Sequence, residues 1–362
     1  MGAAAAARRP RDARVTARRL AILLTLAALV ASAAFWLARP RTAPRDASVG
    51  VAVLSGLAGR LDAVSAIRVM GAAAEPLVTL ERVNGTWRVR ESGYPADAPR
   101  VKRLLVALGE LKVVEAKTAE PARYAALGVE EPTTPGATSV RLELEGVGAP
   151  TGLIVGHAAG TQGTFVRVAG QAQSFEGRPG VEVARTPREW LARGFLDLAA
   201  ARVESVRVER SGEPAWDAQR TERSAAHFSV PNLPRGAELT NAGAADSSAS
   251  AFGNLEFDDV RAAPAATAGE KRQRTTVRCY DGLVVTLSAS AAGTEHWLAL
   301  EARFDAALAA RFAAGAPKDA PTAAEVEKQA AALNVTAAGH EYRVPAYRFD
   351  AIFRPRHELL RH

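Results

Sequence analysis

The sequence predicts an α+β protein in which an N-terminal transmembrane helix is followed by two tandem, related α+β repeats, mainly antiparallel sheets flanked by helices. Three observations predict this fold class. An uncharged stretch lies near the N-terminus, strand-like alternation and helical spacing follow each other along the rest of the chain, and their order occurs twice. The predicted parts are a basic cytoplasmic tail at 1–19, a membrane helix at 20–38, a linker at 39–48, and repeats at 49–200 and 201–362, the second with an insertion near 305–334.

The positive charge of the chain lies in its N-terminal tail. The 362 residues include 46 basic and 39 acidic ones, and the net charge is +7. Nine Arg and only two acidic residues stand in 1–48, and subtracting them leaves 37 residues of each sign in the remainder. Because a protein that binds nucleic acid needs a dedicated basic face, no nucleic-acid partner is expected for this balanced part.

Residues 20–37 carry no charge and are followed by Arg39-Pro40 after one more residue. As a helix they would rise about 27 Å, close to the roughly 30 Å thickness of the hydrocarbon core of a bilayer. Arg residues are more frequent before this stretch than after it, so the N-terminus is expected to stay cytoplasmic and the bulk of the chain to be periplasmic or otherwise extracytoplasmic. The chain is therefore predicted to be a single-pass protein of the bacterial inner membrane. The predicted anchor residues are Leu20, Leu23, Leu24, Leu26, Leu29, Val30, Phe35, Trp36 and Leu37.

A cleaved signal peptide is the alternative interpretation of the same stretch. Small residues at 31–33 would supply the cleavage site of such a peptide. The apolar run continues through 35–37, beyond that site, and this favours a helix that stays in the membrane.

The first repeat is predicted to open with a hairpin and an amphipathic helix. Asn84-Gly85 stands between two alternating segments and is typical of a tight two-residue turn. Asp97 is the expected N-cap of the helix. The apolar stripe of this helix follows the spacing i, i+3, i+4, i+7 and consists of Val101, Leu104, Leu105, Leu108 and Leu111. Strands with alternating burial are expected at 139–145, 152–156 and 164–168.

The same order recurs in the second repeat. Residues 203–208 match 64–69 in pattern, and residues 227–230 match 86–89. Helical spacing returns at Ala245, Ala249, Phe252 and Leu255, and strands are expected at 277–279, 283–287 and 297–300. The insertion near 305–334 is rich in Ala and is expected to be helical in part.

No catalytic, cofactor-binding or metal-ligating residues are predicted, and no cofactor is expected. The six His residues are scattered and lack the spacing of a metalloprotease helix. Cys279 is the only cysteine, which excludes an intrachain disulfide and a Cys-rich zinc site, and its thiol is expected to be buried and inert. The Gly-rich segment 156–163 lacks the Lys-Ser/Thr pair of a phosphate-binding loop and is expected to form a hairpin loop.

Two further segments are candidate sites. Glu256, Asp258 and Asp259 form the densest acidic cluster; paired carboxylates can serve hydrolysis or bind a cation, but a solvated turn is the expected role. The junction between the repeats near 195–201 is the candidate surface for a protein partner. The predicted contact residues there are Phe195, Leu196 and Asp197.

A series of short segments follows in a specific order along most of the exported part. These segments are 63–69, Trp87 with 94–97, 114–118, Tyr124 with 127–129, 153–156, 165–167, Trp190 with Leu191, and 341–347. In this order they resemble the bacterial family called domain of unknown function 4340. The resemblance implies an N-terminal membrane segment, duplicated α+β domains, and genes often placed beside an ABC-type transport system of the kind linked to gliding motility. It carries no catalytic residues over to this chain, which departs from the family pattern at His157 and at 305–334.

The expected function is that of a non-enzymatic, membrane-anchored extracytoplasmic accessory or scaffold subunit of an ABC-type transport or envelope complex. Its expected partners are the membrane and a protein such as an ABC-type permease. The alternative is an extracytoplasmic ligand- or polysaccharide-binding module, in which Trp87, Trp190, Trp216 and Trp297 would stack on the ligand. A hydrolase is the third hypothesis, and it would require a pocket with two carboxylates of raised pKa.

Overall fold

The computed structural model describes residues 48–148, 152–231, 233–264, 273–290 and 295–361. The predicted membrane helix and all the predicted anchor residues lie outside these described residues. None of the helices within the described ranges is long and apolar enough to cross a membrane. The chain divides into two units, Met1–Val49 and Gly50–His362, so both predicted repeats fall inside one compact unit.

Strands and helices of the described residues follow one another in the order expected of an α+β chain. The strands are β1 (Ala66–Met70), β2 (Pro76–Val83), β3 (Thr86–Val89), β4 (Tyr94–Pro95), β5 (Lys112–Ala116), β6 (Val140–Glu145), β7 (Gly152–Ala159), β8 (Gly163–Val168), β9 (Ser174–Arg178), β10 (Gly194–Leu196), β11 (Val203–Glu209), β12 (Trp216–Gln219), β13 (Leu255–Glu256), β14 (Asp259–Ala262), β15 (Arg274–Cys279), β16 (Leu283–Ser290), β17 (Trp297–Phe304) and β18 (His340–Arg343). The α-helices are α1 (Ala98–Glu110), α2 (Tyr124–Leu127), α3 (Asp246–Ser250), α4 (Ala306–Arg311), α5 (Ala323–Ala337) and α6 (Ala346–Ile352).

The strands form two large antiparallel sheets and one small ladder. The first sheet has the order β4-β3-β2-β1-β6-β7-β8-β9-β5, the second has the order β12-β11-β15-β16-β17-β18-β14, and β10 pairs with β13. In each large sheet the opening strand, β1 or β11, lies between its hairpin partner and the first strand of a four-stranded meander. The strand that precedes the meander in sequence, β5 or β14, closes the far edge. The predicted α+β class with mainly antiparallel sheets is confirmed.

Local sequence signals account for the strands and the first turn. Asn84 and Gly85 both adopt positive φ angles, 50° and 81°, as a two-residue hairpin turn of the favoured type requires, and Val83 pairs with Thr86. In β6 the apolar residues Val140, Leu142 and Leu144 are buried, while the charged residues between them are half-buried. The predicted alternation is therefore present, with one apolar face directed to the core.

Helix α1 forms as its sequence predicts. The carboxylate of Asp97 accepts a hydrogen bond of 3.0 Å from the backbone N–H of Arg100, which caps the helix. The predicted stripe is buried at Val101, Leu104, Leu105 and Leu108, and Leu111, one residue beyond the helix, is also buried. This stripe fixes which side of α1 packs on the core, and the opposite side carries its charged residues.

Four buried aromatic rings connect the two halves of the unit, and we call them the aromatic junction: Tyr94, Phe195, Phe257 and Tyr342. The rings of Phe195 and Tyr342 stack with centroids 4.5 Å apart. Tyr94 meets Phe257 edge-on at 5.3 Å and Tyr342 at 5.8 Å. Since Tyr94 belongs to the first sheet and Tyr342 to the second, the two sheets share this part of the core.

Backbone hydrogen bonds run beside the aromatic junction from one sheet to the other. The N–H of Asp97 donates to the carbonyl of Trp190, and the N–H of Ala192 donates to that of Pro95, so residues 190–192 lie along β4. The next residues form β10, which pairs with β13. The N–H of Asp258 then donates to the carbonyl of Arg343. These hydrogen bonds pair backbone polar groups that would otherwise be buried without partners at the junction.

The Ala-rich insertion contains α4 and α5, and α5 covers part of β17. Within β17, strand β18 pairs with Trp297 and Leu298, so the C-terminal part of β17 lacks a strand neighbour on that side. Asn334 of α5 takes this place: its amide accepts a hydrogen bond of 2.8 Å from the N–H of Ala302 and donates one of 2.7 Å to its carbonyl. A side-chain amide thereby satisfies strand groups that would otherwise lose their partners.

Replacing Tyr342 by Ala tests whether the aromatic junction supports the whole unit. We expect Tyr342→Ala to lower the free energy of unfolding by about 3–5 kcal/mol, since it leaves a cavity among the rings. The matched control is Tyr347→Ala, because Tyr347 is 67% exposed whereas Tyr342 is 1% exposed; its effect should stay within about 0.5 kcal/mol. Denaturant unfolding of the full chain in detergent, followed by circular dichroism, measures both values, and equal losses would contradict the role of the junction.

Candidate functional site

Two adjoining depressions are bordered by sequence neighbours of the aromatic junction, and together we call them the junction cleft. The larger, of about 650 Å³, lies between the N-terminal end of α1 and the segment 189–194. The smaller, of about 240 Å³, lies between β13 and the start of α6. Arg193 and Glu256 border both depressions, so the cleft is continuous. Gly194 borders the larger depression and directly precedes the partner contact predicted from the sequence.

Arg193 connects the two sides of the junction cleft. Its Nε donates a hydrogen bond of 2.8 Å to the carbonyl of Phe257, and its Nη2 lies 3.0 Å from Oδ1 of Asp258. The carbonyl of Arg193 in turn accepts from the N–H of Phe257 at 3.1 Å. The guanidinium is about half exposed, so the ion pair contributes little to stability. The hydrogen bonds with the backbone of Phe257 fix the position of Arg193.

Most charged groups at the larger depression have structural partners. Nη1 of Arg100 donates to the carbonyl of Glu189 at 2.8 Å. A hydrogen bond from the Thr186 side chain lowers the pKa of Glu189, so this carboxyl group stays ionised as part of a capping box. Glu256 differs, because its exposed carboxylate makes no hydrogen bond or ion pair with any described residue. Among the described residues of the cleft, the carboxylate of Glu256 is therefore unpaired, while neighbouring charged groups cap helices or bridge segments of the chain.

The acidic cluster does not form the solvated turn expected from the sequence. Glu256 belongs to β13, Asp259 begins β14, and Asp258 lies between them with its side chain paired to Arg193. Asp259 accepts from the backbone N–H of Val260. These acidic residues therefore separate along two strands, each with its own surroundings, and they do not converge on one point.

The predicted contact residues occupy different environments. Phe195 and Leu196 are 8% and 4% exposed within β10, and Phe195 belongs to the aromatic junction. Asp197 is exposed, and its Oδ1 accepts a hydrogen bond of 2.8 Å from the N–H of Asn254. A partner at this junction would meet Asp197 and the cleft directly, while the other two side chains lie beneath the surface. The partner contact itself stays a prediction.

The tryptophans and histidines mostly have structural roles. Trp190, Trp216 and Trp297 are buried and only Trp87 is half-buried, so these four do not form an exposed stacking surface. Among the described histidines, His227 lies 2.7 Å from Oδ2 of Asp246, and the others contact hydroxyl, carbonyl or aromatic groups where contacts are present. Within the described ranges no group of three or more His, Cys, Asp or Glu residues could hold a metal ion.

Cys279 lies at the end of β15 and is fully buried. Burial raises the pKa of its thiol to about 12. At neutral pH the thiol is therefore protonated, and the thiolate is the form that reacts with electrophiles. The predicted buried position is confirmed, and the local chemistry agrees with an unreactive thiol.

Sequence reasoning did not single out Arg193 or Tyr347, although both border the junction cleft. Arg193 stands in a segment without periodicity, so nothing local marks it as a bridge to Phe257. Tyr347 ends the segment 341–347, which contributes only to the family resemblance, yet it is among the large exposed apolar side chains of the described residues. The sequence signal for Tyr347 is Pro345, two residues before it. Because Pro is favoured where helices begin, it predicts that the side chain of Tyr347 lies in an exposed first turn.

Comparison with models of known protein families matches part of the chain. Residues 87–274, just over half of the chain, match the family described as Domain of unknown function (DUF4340). No curated protein and no solved structure matches the chain significantly.

The protection of Cys279 can be measured with a small neutral maleimide. We expect labelling of the native chain at pH 7 to be at least about 100-fold slower than that of an exposed thiol, because burial keeps this thiol protonated and out of reach. After denaturation one label per chain should be found by mass spectrometry, and Cys279→Ala should take up none in either state. Rapid labelling of the native chain would contradict the described packing of β15.

Proposed function

The chain belongs to the DUF4340 family, and from that premise we propose that it is a non-enzymatic, single-pass accessory subunit of the bacterial inner membrane. Residues 20–37 anchor it, and the unit Gly50–His362 stands on the extracytoplasmic side. There the unit docks on a protein complex of the envelope, for which an ABC-type permease is the partner favoured by the family resemblance.

One observation carries this proposal: an 18-residue stretch without charge follows an Arg-rich tail. Its length suits the hydrocarbon core of a bilayer. The excess of Arg before it favours a cytoplasmic N-terminus. The part of the chain after residue 48 has equal numbers of basic and acidic residues, which suits a soluble body displayed beside a membrane and not a nucleic-acid partner.

We also propose that the body arose by duplication. The support is topological, since both large sheets place an opening strand between a hairpin partner and a four-stranded meander and close the far edge with the strand before that meander. Antiparallel strands that follow each other in sequence commonly pair. Strands β5 and β14 instead pair with the last strand of the meander that follows them, at the edge of the sheet, which is a less common arrangement. Its occurrence in both sheets agrees with the repeated sequence pattern.

An adaptor role suits the chemistry of the described residues. In the junction cleft, the charged side chains mostly cap helices or bridge strands, and such groups shape a rigid surface. A single compact unit with a shared core presents that surface in a fixed geometry, which lowers the entropy lost on binding a partner.

The membrane anchor is tested by placing charges in it. We expect the double variant Leu26→Arg/Leu29→Arg to be released by alkaline carbonate, because each Arg near the centre of a helix disfavours insertion by about 2.5–3.5 kcal/mol. The matched variant Leu26→Ile/Leu29→Ile should remain in the membrane pellet. Protease added from outside spheroplasts should digest the body and spare the N-terminal tail; extraction of the unchanged chain by carbonate would overturn the proposal.

The partner is tested by affinity purification of the C-terminally tagged full chain from membranes in a mild detergent. We expect an integral membrane protein to be recovered in near-stoichiometric amount, and the Leu26→Arg/Leu29→Arg variant to recover much less of it because it is not held beside its partner. Recovery of the chain alone, under conditions that preserve other membrane complexes, would contradict the accessory role while leaving the anchor intact.

A further inference from the structure

The outward side of α1 is bordered by two shallow depressions. The first, of about 430 Å³, runs along the helix towards Pro179. The second, of about 360 Å³, lies between the helix and half-buried Leu61 and Trp87. Lys102 and Val106 border both. We call this surface the α1 face and define it by the residues that line the first depression: Pro99, Lys102, Arg103, Val106, Ala107, Glu110 and Pro179.

The α1 face carries more basic than acidic groups. Helix α1 contains three basic residues and one acidic residue, Glu110, which is exposed and borders the first depression. Exposed Asp62 borders the second. Lys102 and Arg103 are exposed, and neither makes a hydrogen bond or an ion pair with a described residue. Around them, Arg82 donates to the backbone carbonyl of Asp62, and Arg100 of α1 turns towards Glu189 and Glu182.

Apolar groups lie between these charges. Pro99 and Pro179 are exposed, and Val106 and Ala107 are half-buried. Basic side chains beside exposed apolar groups suit contact with the headgroup region of an anionic bilayer. Cations there meet anionic headgroups, and the apolar groups meet the first carbon atoms of the acyl chains.

The point at which the chain enters the unit is beside the end of α1. The N–H of Gly50 donates to the carbonyl of Val113 at 2.8 Å, and the N–H of Val53 donates to that of Leu111 at 2.9 Å. Leu111 directly follows the last residue of α1. The ten residues of the linker 39–48 span at most about 36 Å when fully extended. A tether of this length keeps the α1 face at a high effective concentration near the bilayer surface.

We propose that the α1 face binds the anionic phospholipid headgroups of the membrane that anchors the chain. This inference rests on the proposed function, since the tether supplies the proximity. An acidic segment of a partner protein would satisfy the same cations, but the position of the chain entry favours the lipid surface. Lys102 and Arg103 contact phosphate groups, and the two depressions receive glycerol and proximal acyl groups.

Lysine labelling of the full chain in vesicles tests this proposal. The chain is reconstituted into phosphatidylcholine vesicles with and without phosphatidylglycerol, and a membrane-impermeant acylating reagent labels amines on the outside. We expect Lys102 to be labelled about fivefold more slowly when phosphatidylglycerol is present. Lys318 and Lys328 are exposed and distant in sequence from α1, and their labelling rates should be equal in the two vesicle types. High salt should cancel the protection of Lys102.

A charge reversal beside Lys102 provides the matched comparison. Arg103→Glu should abolish most of the difference between the two vesicle types, whereas Arg235→Glu, at another exposed Arg without a partner among the described residues, should leave it unchanged. Equal labelling of Lys102 in both vesicle types, in a chain that resists carbonate extraction, would overturn this inference and leave the anchor standing. Protection that arises only when a co-purified protein is added would also overturn it and assign the face to that protein. Extraction of the unchanged chain by carbonate would instead contradict the proposed function.

Discussion

The packing of four aromatic rings at the junction is the constraint on which the rest of the unit depends. Tyr94, Phe257 and Tyr342 come from segments far apart in sequence, and each is at most 1% exposed. Edge-to-face and stacked contacts fix their relative orientation as well as bury their area. Because one ring belongs to each large sheet, neither sheet can shift without breaking these contacts. A single core cluster accordingly contains apolar residues from both halves.

The junction also determines which polar groups remain available at the surface. The strand order leaves alternating charged positions on the outer faces of both sheets, where they pair with each other, as Arg68 does with Glu145 and Arg207 with Asp217. Such exposed pairs contribute little stability, but they neutralise the sheets. Lys102, Arg103 and Glu256 are among the described charged residues without such partners, so the α1 face and the junction cleft are two of the surfaces where charge can act on a molecule outside the unit.

In the second sheet a helix covers the part of β17 that has no neighbouring strand on one side. Helix α5 lies where the first half has only the short connection from β8 to β9. Part of β17 would then have unpaired backbone groups, and the side-chain amide of Asn334 forms hydrogen bonds with those of Ala302. Asn is unfavourable in the interior of a helix. The hydrogen bonds of Asn334 with the strand explain why it occurs in α5.

The sequence by itself determined the features that depend on neighbours along the chain. The Asn84-Gly85 turn, the cap at Asp97 and the buried stripe of α1 follow from local conformational preference and from helical spacing, and the alternation in β6 follows from the period of a strand. The charge balance of the body is a matter of composition alone.

Only the tertiary structure decided the features that join distant residues. The acidic residues near 258 look like a solvated turn because their spacing contains no sign that the N–H of Asp258 pairs with the carbonyl of Arg343. Phe195 and Leu196 look like contact residues because nothing local shows that β13 pairs with them. Burial, pairing and the bridge made by Arg193 arise between segments separated by many residues, and a local pattern cannot specify which of these segments meet.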